Sequence, residues 1–289
     1  MNHSVLPFLY TNSRSIHNKI DEFHSTVSLL NPFVICIVES WLTKDFNNST
    51  LKLNGYSIFR KDRKSRGGGI LIAIKSPLEG NMLDIEEDIE ILTVDIYYEN
   101  TKMLRVIGAY NPNFNDKKYL KNFFRILQNN IVVQDNILLM GDFNMPDASN
   151  ELHKNLNKKQ YCIYNDFLNK SQPILQCVNF PTRGIHTLDL IFVRNHNDII
   201  NLKFAPPIGN SDHVVILGDF VIKQKIRISN TRPIYFKNFN MANYLLINEV
   251  LKPRVSVLLN AKYHPQRLWF EFKNLIENVI ELYIPLSKY

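Results

Sequence analysis

Apolar residues fall in short runs between breakers through most of the chain. In Asn136-Ile-Leu-Leu-Met-Gly-Asp142-Phe-Asn144-Met-Pro146, residues 137–140 are apolar without alternation and Gly141 ends the run. Such a run predicts a strand buried on both faces. Residues 5–11, 33–38, 56–60 and 70–74 also read as strands. Between the first two, Ile16, Ile20, Phe23, Val27 and Leu30 recur at three- and four-residue steps, a helical face opened by residues 13–15 and stopped by Asn31-Pro32. Strand, helix and strand in that order predict two parallel neighbours.

Residues 90–98 and 103–109 predict a hairpin joined by 99–102. Residues 117–133 predict a helix with Leu120, Phe123, Phe124, Leu127 and Ile131 on one side, and 161–168 a second. Further strands are expected at 174–178, 187–193, 199–205 and 214–222. The pattern then changes. Lys223, Lys225, Arg227 and Arg232 form a basic connector, and helices at 241–259 and 266–283 flank Pro265. The division expected is a domain of 1–222 and a basic connector with helical tail over 223–289. Helices alternating with strands, mixed with hairpins, predict an α/β fold with two sheets packed face to face under outer helices.

Composition adds limits. The chain has 289 residues, 45% of them hydrophobic, enough for one large core or for one core plus an appendage. A net charge of +7 admits a polyanionic partner. Cys36, Cys162 and Cys177 form no Cys-x-x-Cys pair, which suits a reducing compartment and argues against a cysteine zinc site. The first ten residues lack a basic n-region, and no run reaches the roughly 18 apolar residues of a membrane span. A soluble, intracellular, monomeric protein is expected.

Polar groups stand at strand ends or within strands: Asn12, Glu39, Tyr110, Asp142 with Asn144, Asp189, and Asp212 with His213. Ligands bind at the carboxyl ends of strands in open α/β sheets. If the chain stays extended, Asp142 and Asn144 point the same way. Both types also favour turns before a proline such as Pro146. Glu39 and Asp212 offer hard oxygen ligands of the kind Mg²⁺ takes. Singly, each has a plainer reading: Asn12 a helix cap, Glu39 a first-turn acid, Asp189 a strand acid paired with an arginine, His213 a core histidine, Tyr110 packing.

As a set, these residues resemble the endonuclease/exonuclease/phosphatase superfamily, which includes DNase I and apurinic endonucleases. Within it, the sequence is most similar to the endonuclease domain of non-LTR (LINE-type) retrotransposons. The resemblance rests on Asn12 with Arg14-Ser15, Val38-Glu39-Ser-Trp-Leu42, Arg66-Gly-Gly-Gly-Ile70, Tyr110-Asn-Pro112, Gly141-Asp-Phe-Asn144, Asn179-Phe-Pro-Thr-Arg183, Thr187-Leu-Asp-Leu-Ile191 and Ser211-Asp-His213, over residues 5–222.

That resemblance implies a four-layer, DNase I-like α/β sandwich: two packed mixed β-sheets flanked by helices. It implies Mg²⁺, with Mn²⁺ as a substitute, held by Glu39 near Asn12 and Asp212. Asp142 would activate water, Asn144 would orient water or phosphate, His213 and Tyr110 would bond phosphate oxygens, and Asp189 would fix the His213 tautomer. Double-stranded DNA would meet Arg63, Lys64, Arg66, Lys117, Lys118 and Ser211, with Lys121 alongside. The activity implied is nicking that leaves a 3′-hydroxyl and a 5′-phosphate, in the nucleus, for a linked or associated reverse transcriptase to extend. Residues 223–289 resemble only the connector to such an enzyme, and no Tyr-x-Asp-Asp signature is present. The readings set against this are an inositol or lipid phosphatase of the same fold, and an inactive nucleic-acid-binding relic.

Overall fold

The computed structural model describes residues 4–63, 67–83, 89–131, 136–146, 148, 158–171, 173–222, 235–237, 239–261 and 263–288. The predicted positions Lys64, Arg66, Lys223, Lys225, Arg227 and Arg232 lie outside them. The chain divides into two compact units, 1–226 and 227–289.

The first unit begins with β1 (Ser4–Asn12), α1 (Ile20–Leu30) and β2 (Val34–Val38). β1 and β2 are parallel neighbours, with Asn12 opposite Val38. β3 (Tyr56–Lys61) and β4 (Ile70–Lys75) extend the sheet beyond β2. Next come β5 (Glu79–Met82), β6 (Ile91–Tyr98) and β7 (Thr101–Tyr110). β6 and β7 turn on two residues, Glu99 and Asn100, both at positive φ, shorter than the four-residue loop expected. Such a turn matches the twist of the flanking strands. α2 (Lys117–Ile131) crosses over to β8 (Ile137–Asp142), parallel to β7. α3 (Lys159–Lys170), β9 (Leu175–Gln176), β10 (Asp189–Val193), β11 (Ile199–Ala205) and β12 (Val215–Ile222) complete the unit.

The strands form two mixed six-stranded sheets, ordered β11-β12-β1-β2-β4-β3 and β5-β6-β7-β8-β10-β9. Alternation within the buried strands shows how they stack. Ile35 and Ile37 of β2 pack under α1 with Phe23 and Val27. In β8, Ile137 and Leu139 pack under α2 and α3 with Phe123, Phe124, Tyr164 and Phe167. The other faces meet between the sheets, where a Cβ on Gly108 would come within 2.8 Å of Ile70 and 3.0 Å of Cys36. Helix, sheet, sheet and helix make the four-layer α/β sandwich. Ile137, Leu138, Leu139 and Met140 are all essentially inaccessible to solvent.

One local expectation fails in a way that matters. No helix opens at 13–15: a 3-10 turn spans His17–Lys19 and α1 starts at Ile20. Arg14 and Ser15 instead hold positive φ, and the buried Lys19 ammonium donates to the Ser13 carbonyl at 2.6 Å. The polar stretch after β1 is therefore a shaped loop.

The second unit contains β13 (Tyr235–Lys237) paired with β14 (Leu286–Lys288), and two helices, α4 (Tyr244–Asn260) and α5 (Pro265–Tyr283). Pro265 sits at the start of α5, where its missing N–H costs nothing. Ile247, Leu275, Val279 and Ile284 form this unit's small core. No helix of the described residues is long and apolar enough to cross a membrane.

Candidate active site

The carboxyl ends of β1, β2, β7 and β8 open onto one cleft of about 700 Å³, lined by Arg14, Glu39, Trp41, Tyr110, Asn144 and Arg183 among others. Arg14, Glu39, Trp41 and Asn144 all adopt positive φ. Non-glycine residues take that conformation at a cost, so strain is concentrated here.

Asn12, at the end of β1, bridges the two sheets. Its Nδ2 donates to Glu39 Oε1 at 2.9 Å and to Asp142 Oδ2 at 2.8 Å. Its Oδ1 accepts the Arg14 backbone N–H, so it caps a turn rather than a helix. Trp41 Nε1 donates to Glu39 Oε2 at 3.2 Å, and the Tyr110 hydroxyl bonds the same carboxylate. Burial, then the Glu39 charge, push the Tyr110 phenol well above its ordinary range, which keeps it a donor.

A second chain of bonds reaches Asp142 from the opposite side. The Tyr10 hydroxyl donates to Asp189 Oδ1 at 2.8 Å. Asp189 Oδ2 faces His213 Nδ1 at 2.7 Å, and His213 Nε2 stands 3.9 Å from Asp142 Oδ2. Burial alone would lower the His213 pKa, but the Asp189 hydrogen bond and the charges of Asp189, Asp142 and Asp212 raise it. Burial and the nearby Asp189 charge raise the Asp142 carboxyl, against the pull of His213, Asn12 and the Asn144 N–H.

Asp142 and Asn144 do not share a strand face. β8 ends at Asp142, and the chain turns so that the Asn144 N–H bonds Asp142 Oδ1 at 2.9 Å. The turn reading of these residues holds. Asn144 still lines the cleft, with its Nδ2 on the Asn111 carbonyl at 2.9 Å.

The remaining expected site residues are placed as follows. Asp212, expected near the metal, has its Oδ2 paired with Arg14 at 3.1 Å and with Arg183 at 2.7 Å. Ser211 is buried and donates to the Asn12 carbonyl at 2.8 Å, which ties it to the strand end that carries Asn12. Lys117, Lys118 and Lys121 are exposed, the first two just beyond Asp116 on the cleft wall. Arg63 is paired with Glu90 at 3.4 Å. Sequence reasoning missed Tyr10, Trp41 and Asn111 as supports, since each reads as core or turn until its partner is known.

The donor set fits a hard divalent cation. Among the described residues, Glu39 bonds only neutral donors, so its charge is uncompensated beside an open cleft. The ligand atoms of Asp142, Asp189 and His213 also lie within 4.8 Å of one another. There, however, both Asp189 oxygens are already engaged, by Tyr10 and His213, and all three side chains are buried, whereas Glu39 faces the open cleft and is the better seat.

Comparison with known families gives one decisive match, over residues 9–213. The chain belongs to the Endonuclease/Exonuclease/phosphatase family. Family members are hydrolytic nucleases and phosphatases. No curated protein matches the sequence. Among solved structures, AP endonuclease LMAP from Leishmania major aligns with a TM-score of 0.61 at 13% identity, covering 75% of this chain and 87% of that one. An AP endonuclease from Archaeoglobus fulgidus aligns at 0.59 and 16% identity, covering 74% and 99%. The endonuclease domain of TRAS1, a telomere-specific non-LTR retrotransposon, aligns at 0.58 and 12% identity, covering 76% and 100%. At such identities the likeness establishes the fold shared with these family members, a DNase I-like sandwich.

Proposed function

We propose that this chain is a Mg²⁺-dependent endonuclease of the retrotransposon type that nicks one strand of duplex DNA, leaving a 3′-hydroxyl and a 5′-phosphate. The observation that carries the reading is the convergence of Asn12 Nδ2 and His213 Nε2 on one oxygen of Asp142, beside Glu39 and an open cleft.

Glu39 would hold the divalent ion, Mg²⁺ or Mn²⁺, with Asn12 beside it. When bound, the ion supplies Lewis-acid neutralisation of a phosphate oxygen. Asp142 takes the proton of the attacking water, which requires its ionised form. Asn12 and the Asn144 N–H favour that form. Asp189 holds Nδ1 of His213 and leaves Nε2 to donate to a phosphoryl oxygen, where negative charge builds. Tyr110, kept protonated, donates to a second phosphate oxygen. Asn144 orients the water or the phosphate. Lys117, Lys118 and Lys121 on the rim meet flanking backbone phosphates.

A nuclease of this kind acts in the nucleus as a monomer, and its 3′-hydroxyl serves a linked or associated reverse transcriptase. The test is nicking of supercoiled plasmid with Mg²⁺, with product ends mapped, against release of phosphate from inositol phosphates. Nicking abolished by Asp142→Ala supports the proposal. Phosphate release without nicking sinks it in favour of a phosphatase.

A further inference from the structure

Two arginines share a single carboxylate oxygen on the wall of the proposed catalytic cleft. Arg14 and Arg183 both reach Asp212 Oδ2, and both line the cleft with Glu39, Tyr110 and Asn144. They arrive on separate elements, each tied to a different site residue. The Arg14 N–H bonds Asn12 Oδ1 at 3.1 Å, and the Lys19 ammonium braces the Ser13 and Arg14 carbonyls. Arg183 forms a backbone bridge to His213. The bond that fixes Arg14 thus comes from the same carboxamide that joins Glu39 to Asp142, and Arg183 moves with the histidine.

Each guanidinium has five N–H donors, and the contact with Asp212 uses one from each. Both arginine side chains remain more than 40% exposed, so the unused donors stay accessible. Two fixed positive charges on one acid leave a net positive charge there, which repels a cation and attracts an anion. Glu39 bonds only neutral groups and presents the opposite character. One cleft therefore has a cation seat and an anion seat side by side.

We infer that Arg14 and Arg183 stand in for a second cation at Asp212, so that the cleft takes a single divalent ion, at Glu39, while the arginine pair receives a backbone phosphate of the nucleic acid. The inference rests on the endonuclease reading of the site. Asp212 is on this view a spacer that sets the two guanidinium groups apart, and it holds no metal.

The full chain answers the question without any cleavage. Mn²⁺ binding is followed by electron paramagnetic resonance, and binding of a fluorescent DNA duplex in EDTA by anisotropy across a salt series. One Mn²⁺ per chain is expected, lost in Glu39→Gln and retained within about threefold in Asp212→Asn. Arg14→Ala and Arg183→Ala are each expected to reduce the slope of log K against log salt by about 0.9 per lost phosphate contact. Arg14→Lys keeps the charge and checks that the loop still folds, so its slope should stay near that of the parent. Two Mn²⁺ ions in the parent, a tenfold or greater loss of Mn²⁺ affinity in Asp212→Asn, or an unchanged slope in both alanine variants overturns the inference while leaving a nuclease site intact. A parent that binds neither Mn²⁺ nor duplex overturns the endonuclease reading as well.

Discussion

The Asp189 carboxylate lies 2.7 Å from Nδ1 of His213, with both side chains sealed from solvent. That contact, and not the histidine's own burial, decides its charge. Burial by itself lowers an imidazole pKa, yet that of His213 is raised. The folded value exceeds the unfolded one, near 6.5, so the contact contributes stability that is fully present below that pH and is lost as pH rises through the folded value.

Asp189→Asn should therefore lower the His213 pKa and remove the pH dependence of stability that the pair creates. NMR titration of the imidazole and denaturation midpoints across pH measure both. Nicking should fall about 10²–10³-fold, the range for loss of one donor to a developing oxyanion. Tyr10→Phe should act in the opposite sense on the His213 pKa, since the Asp189 carboxylate, relieved of the Tyr10 hydroxyl, accepts more strongly from His213. A downward shift in Tyr10→Phe would contradict this account.

Asp142→Asn should separate stability from activity. Burial and the Asp189 charge raise the folded carboxyl above the unfolded value of 3.8. Ionisation above that value therefore weakens the fold. In EDTA the parent should lose stability as pH rises above 3.8 while the variant does not, so the difference between them should move in favour of the variant by about 0.5–2 kcal/mol on going to neutral pH. Its starting point is set by the amide NH2 that must face Asn12 or the Asn144 N–H. Nicking should be lost. A difference that does not change with pH would contradict the raised carboxyl.

Trp41→Phe removes the indole donor to Glu39 while keeping an aromatic ring. Groups that orient a metal ligand without touching the metal are worth about 10–100-fold in affinity. Mn²⁺ titration of the variant should show a loss in that range, with the thermal midpoint little changed. An unaltered affinity would mean that Asn12 and Tyr110 suffice to hold the carboxylate.

Gly141→Ala should damage the fold directly. An added Cβ would lie 2.3 Å from the Ala109 carbonyl oxygen, a backbone atom of the neighbouring strand β7 that cannot swing aside. The expected loss is at least about 1–3 kcal/mol, read from the denaturation midpoint. Urea curves superimposable on those of the parent would require β7 and β8 to separate at no cost.

The sandwich was legible because its strands are buried on both faces, so 34–38, 70–74 and 137–140 stand out as unbroken apolar runs. β5, with Gly80 and two exposed polar residues among its four, carries no such pattern and was not foreseen. Asn12, Glu39, Asp142, Asp189 and His213 were legible as candidates because acids and amides at strand ends need partners. Who partners whom was not. The Asn12–Asp142 and Arg14–Asp212 bonds span 130 and 198 positions, distances over which periodicity carries no information. The extended geometry assumed for Asp142 and Asn144 failed because a carboxylate accepting the second N–H onward stabilises a turn. Tyr10 was hidden in plain view, its hydroxyl masked by the apolar run around it.

The order of the strands has a consequence for synthesis. β1 pairs on one side with β2 and on the other with β12, which is added some two hundred residues later. A growing chain can already hold Glu39 and Asp142, but Asp189 has no imidazole to meet until residue 213 has left the ribosome. On the endonuclease reading, a chain that ends before residue 213 lacks a working site, which is completed as β12, the last strand of the two large sheets, closes against β1.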